Sequence, residues 1–171
     1  MYKRIIISFM LFIALKADAQ FSSAIVGVDG LTCSACAFST EKSIRQLEFV
    51  DSVKMELSKN MATVYFKKGA PVSIKALAQK VVDAGFAVRS IDAIFEFKGQ
   101  AVSDGHCMEY ENNVYHFIGL KDKRTLDGIK PVQFVGDKFM SRKEFKNWKM
   151  LCSNTCKPAS PLATEYFVTL R

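Results

Sequence analysis

Two cysteines stand three positions apart in the run Gly30-Leu31-Thr32-Cys33-Ser34-Ala35-Cys36. An alternating apolar stretch precedes the run and a helical pattern follows it, so the thiols fall on a loop that opens a helix. Unpaired N–H groups and the positive end of the helix dipole favour a thiolate there. Two adjacent thiolates form a soft ligand pair, suited to Cu(I) and poorly suited to Mg or Ca. Cys33 and Cys36 are therefore expected to hold one Cu(I) in a near-linear, exposed site, from which the ion leaves by ligand exchange. Hg(II) is a thiophilic alternative. Zn(II) fits less well, because two ligands are offered where zinc takes four. The same pair also suits a thiol–disulfide oxidoreductase or a structural bridge, since Cys-x-x-Cys alone does not decide between them.

A second group is Cys107, Cys152 and Cys156, with His106 and Met108 beside the first of them. It reads either as a disulfide from Cys107 to Cys152 or Cys156, or as a second soft-metal site of all three sulfurs. His116 alternates with Tyr115 and Phe117 in a strand pattern and is expected to be structural. The chain has two histidines and no recognisable carboxylate pair, nucleophile triad or phosphate-cradling glycine loop. A binding protein is therefore expected, not an enzyme.

The elements that must carry the first pair follow a regular order. Residues 24–29 alternate as a strand. Residues 37–47 repeat as a helix, with Phe38, Ile44 and Leu47 near one face. Val53, Met55 and Leu57 share one strand face. Ser58-Lys59-Asn60 is turn chemistry, and Ala62, Val64 and Phe66 form the return strand. Ser73 caps a second helix with Ile74, Leu77, Val81 and Val82 on its apolar side, Gly85 ends it, and Phe86, Val88 and Ile91 begin a fourth strand. The order β-α-β-β-α-β is the split βαβ, or ferredoxin-like, arrangement of the α+β class.

These residues resemble the heavy-metal-associated domain family of copper chaperones, metal-ATPase amino-terminal domains and the periplasmic mercury-binding protein. The likeness covers about 70 of the 171 residues. It rests on the GLTCSAC loop, the V-x-M-x-L strand, the A-x-V-x-F strand and Asp83-Ala84-Gly85-Phe86. The family's usual loop is GMTCxxC, whose methionine packs inward and is not a ligand. Leu31 keeps its volume and polarity. The resemblance implies that Phe86 shields the metal–thiolate centre and that Thr32 shapes the loop. It also implies a carrier or buffer that passes metal to a membrane ATPase, an efflux partner or a copper enzyme.

Residues 93–171 match no family pattern that the sequence reveals. Residues 94–102, 114–119, 132–135 and 166–170 read as strands. Residues 120–130 are charged, with a turn signal at Asp127-Gly128. Ser141 and Glu144 fit a capping box that opens a helix with Phe145, Trp148 and Leu151 on one stripe. Pro158 and Pro161 mark an irregular stretch. A small, mostly β domain with one helix is expected, and a partly open barrel is compatible with it. Residues 91–97 can run from one sheet into the other, so the two parts are expected to pack together.

Lys3 and Arg4, an apolar run over 5–15 and Ala17-Asp18-Ala19 compose a secretory signal cut before Gln20. The run is short of the ~20 residues that span a bilayer. The expected division is thus a signal over 1–19, the metal domain over 20–92 and the β-rich domain over 93–171. The mature chain is expected to be periplasmic or otherwise exported and not membrane-spanning. The full chain carries +7. Without Lys3, Arg4, Lys16 and Asp18 it keeps 21 cations against 16 anions, or +5. That charge is too small and too scattered to indicate nucleic acid. Its densest stretch, residues 138–149, is a solvated helix face or a docking patch for an acidic partner. Five cysteines leave at least one thiol outside any pairing within the chain.

Overall fold

The computed structural model describes residues 21–152, 156 and 162–171. The expected signal at 1–19, and Pro158 and Pro161, lie outside the described residues. Strand β1 (Phe21–Asp29) turns Ala24, Val26 and Val28 inward, as its alternation requires. Helix α1 (Ser34–Ile44) buries Ala37, Thr40 and Ile44, which recur on one face. Phe38 falls off that face and is 67% exposed, contrary to the expected stripe. Strands β2 (Val50–Glu56) and β3 (Met61–Phe66) form a hairpin through a 3-10 turn at Leu57–Lys59. Helix α2 (Ile74–Asp83), capped by Ser73, buries Ile74, Leu77, Ala78 and Val81. Val82, expected inside, is exposed because Ala78 takes its place on the inward stripe. The Ser43 hydroxyl donates to the Lys80 carbonyl at 2.7 Å and ties the helices together.

Strand β4 (Ala87–Val102) completes the βαββαβ unit, whose four strands lie in the antiparallel order β2-β3-β1-β4. This is the ferredoxin-like arrangement the sequence predicts. β4 does not stop at residue 92. Its first part pairs with β1, from Ala87 opposite Asp29 to Phe95 opposite Phe21. Its later part pairs with β7 (Arg124–Val135), from Asp92 opposite Gln133 to Val102 opposite Arg124. Beyond β7 lie β8 (Thr164–Leu170), β6 (Asn113–Phe117) and β5 (Cys107–Tyr110), so one sheet of eight strands runs from β2 to β5. Among the described strands only β6 and β8 are parallel neighbours.

The boundary drawn between residues 92 and 93 therefore falls inside a strand, and one core serves both sides of it. Phe21 packs its ring 4.8 Å from Phe95 and also meets Tyr110, Tyr115 and Phe134 of the later half. The Tyr166 hydroxyl accepts from the Lys75 backbone N–H of α2 at 3.4 Å. The turn expected at Asp127-Gly128 is strand: Gly128 pairs with Phe97 inside β7. Charge concealed it, because residues 127–130 are exposed. In place of a partly open barrel the sheet is laid out in series, with β2 and β5 at its ends. Helix α3 (Arg142–Trp148), capped by Ser141, ends before Leu151, which is exposed. No helix among the described residues is long and apolar enough to cross a membrane.

Candidate metal centre

The thiol loop begins where β1 ends. Gly30 takes φ +95°, a left-handed value that L side chains rarely adopt, and this reverses the chain towards α1. Leu31 is buried and anchors the loop from below, and the Thr32 N–H donates to the Gly30 carbonyl at 2.9 Å. Cys33 is the N-cap of α1. Its Sγ accepts the Cys36 backbone N–H at 3.2 Å, while its carbonyl accepts from Ala37. A sulfur thus stands where Ser, Asn or Asp usually supplies the capping oxygen. Cys33 is exposed, Cys36 is half-buried against the core, and their Cα atoms are 5.2 Å apart with the sulfurs in disulfide contact.

Phe86 reaches this loop from the other helix. The Gly85 N–H donates to the Val82 carbonyl and the Phe86 N–H to the Val81 carbonyl, with Gly85 at φ +89°. That is the Schellman pattern, and it fixes the direction in which Phe86 leaves α2. The half-buried ring then lies against Gly30, where an added Cβ would sit 3.4 Å from Phe86 Cδ1. An apolar wall therefore stands beside the sulfur loop. Among the described residues no further His, Cys, Asp or Glu donor joins Cys33 and Cys36 in a three-donor group. In the dithiol state the pair offers two sulfurs, with Cys33 on the solvent side.

The three later cysteines do not meet as a trio. Cys107 and Cys156 come together with sulfurs in contact and Cα atoms 6.4 Å apart, within disulfide reach. Cys152 lies in a separate cluster with Ile118, Val135 and Met140. Burial pushes the Cys152 thiol up, which disfavours the thiolate a metal needs. The third donor beside Cys107 and Cys156 is His116: the three donor atoms lie within 4.8 Å of one another. His106 instead sets its ring near Phe117, and Met108 packs on the core. The alternation around His116 pointed to a strand, and it does lie in one. Its pairing with Cys107 depended on a two-residue turn that the sequence did not reveal.

Residues 25–87 match the model of the heavy-metal-associated domain. The COP-associated protein of Helicobacter felis is 34% identical over 61 residues, covering 36% of this chain and 89% of that protein. The mercuric transport protein periplasmic component of Pseudomonas aeruginosa is 32% identical over 68 residues, covering 40% of this chain and 74% of that protein. The probable copper-transporting ATPase HMA5 of Arabidopsis thaliana is 33% identical over 79 residues, covering 46% of this chain. The chain spans only 8% of that ATPase's length. The matched stretch carries the two-sulfur loop, both helices and strands β1 to β3, ending where β4 begins, and through residues 25–87 the chain belongs to the heavy-metal-associated domain family.

Proposed function

We propose that this chain binds Cu(I) through Cys33 and Cys36 and either buffers the ion or passes it to a partner. Family membership supports a metal-binding, copper-chaperone-like role. The observation that carries the finer reading is the open sulfur pair at the start of α1, with Cys33 exposed and Phe86 against the loop. Two soft donors satisfy Cu(I), and an open side admits a partner's sulfur for exchange. A metal-transporting membrane ATPase or a copper enzyme is the proposed recipient, in line with the copper-transporting ATPases among the relatives. The signal-like pattern over 1–19 supports an exported, periplasmic setting. The proposed role is binding and transfer, without catalysis.

Titration of the reduced full-length chain with Cu(I) against a chromophoric chelator tests this reading. Cys33→Ser with Cys36→Ser is expected to abolish the tight binding contributed by this loop; unchanged affinity and stoichiometry would reject it. A second reading, scavenging of Hg(II), is favoured by the match to the mercuric transport component. Competition between the two ions at the same loop separates the readings, Cu(I) transfer to an acceptor being expected only of the first. An oxidoreductase would instead turn over a disulfide substrate without metal.

A further inference from the structure

We propose that Cys107, Cys156 and His116, in the dithiol state, form a second soft-metal site with two sulfur donors and one nitrogen. This goes beyond the Cys33–Cys36 reading and does not rest on it. Strands β5 and β6 are joined by Glu111 and Asn112, both at positive φ (46° and 59°). This tight turn fixes the register Tyr110 opposite Asn113, and hence Cys107 directly opposite His116. Cross-strand neighbours are close enough for their side chains to share a ligand. His116 is fully buried, with Nδ1 3.2 Å from Cys107 Sγ. Its other nitrogen, Nε2, lies 2.9 Å from Glu165 Oε2 on β8. Cys156 brings the second sulfur to the same place.

The orientation of His116 is what distinguishes a ligand from a bystander. A carboxylate only accepts, so the Glu165 contact calls for an N–H at Nε2, and in the singly protonated ring this leaves the Nδ1 lone pair facing the sulfurs. A carboxylate holding the far nitrogen of an imidazole is the usual outer support of a metal-ligating histidine. A plain disulfide offers that lone pair no donor. Its sulfurs carry no hydrogen to offer a buried nitrogen, whereas a thiol or a metal ion in the same position satisfies that nitrogen. Two sulfurs with one imidazole form a donor set for Cu(I) or a similarly thiophilic ion. Reduction of a Cys107–Cys156 bridge by an external dithiol takes up two electrons and two protons, and gives two thiols and the reductant's disulfide. Cu(I) then binds both sulfurs with release of the two thiol protons, so the site opens and closes with the redox state of the pair.

The test uses the reduced full-length chain carrying Cys33→Ser and Cys36→Ser, titrated anaerobically with Cu(I) against a chelator. One tightly bound Cu(I) per chain is expected, and X-ray absorption at the copper edge should report two sulfurs and one nitrogen. Adding Glu165→Gln, which keeps all three donors, is expected to weaken binding by about 10-fold or more. Adding His116→Gln should remove the nitrogen from the spectrum. No tight Cu(I) in a background that remains folded with both thiols free would overturn the site, and sulfur-only coordination would overturn the role of His116. Failure of the Cys33–Cys36 reading shows separately, as loss of binding in the complementary chain with Cys107→Ser and Cys156→Ser.

Discussion

At Gly30 a single residue type determines whether the sulfur loop closes. The backbone stands at φ +95°, and a Cβ there would also press on Phe86. Gly30→Ala is expected to cost about 1–2 kcal/mol from the left-handed conformation alone. Denaturant unfolding measures this, and an unchanged midpoint would show that the loop relaxes freely. Asp92 provides a test of electrostatics. Burial holds its carboxyl above the ordinary range, Arg171 3.0 Å away opposes this less strongly, and Glu144 adds to the rise. Between the ordinary and the raised value the folded chain binds more protons than the unfolded one. This group's contribution to stability therefore falls as pH rises through that window and stays lower above it. Asp92→Asn is expected to flatten that slope and to be at least as stable as the parent at neutral pH. Urea unfolding across a pH series checks both, and a marked loss at neutral pH would mean that the Arg171 pair dominates.

Elements differ in how plainly the sequence announces them. The βαββαβ unit was legible because each element repeats with its own period and carries its own stop: Ser73 and Gly85 bracket α2, and Asn60 turns the hairpin at φ 51°. Cys33 and Cys36 stood out because strand and helix patterns flank them. β7 was half hidden, since its exposed charged residues break the alternation that marks a strand and Gly128 imitates a turn. Cysteine connectivity cannot be read from spacing, and the Cys107–His116 pair depends on the register set by Glu111 and Asn112, neither of which is a glycine. Asn112→Gly relieves a left-handed L residue in that turn and is expected to stabilise the hairpin by about 1 kcal/mol. A lower midpoint in thermal unfolding would indicate that the Asn112 side chain contributes more than the backbone gains.

Across the whole molecule, β4 makes the metal-binding unit and the later half one sheet with one aromatic core. Phe21→Ala removes the ring at their junction, and because Phe21 is buried among four aromatic neighbours the expected cost is about 3–5 kcal/mol. Trp148 lies in the later half, so its fluorescence and the far-UV signal of the whole chain are expected to unfold together. Two separate transitions would show that the halves fold independently. The central claim, that the loop from β1 to α1 grips a soft ion through Cys33 and Cys36, is tested most directly by amide NMR of the reduced chain during Cu(I) addition. The first equivalent is predicted to shift the signals of Thr32, Cys33, Cys36, Ala37 and Phe86, with the strands of the βαββαβ unit unmoved. A first equivalent that leaves those five residues unchanged would contradict the account.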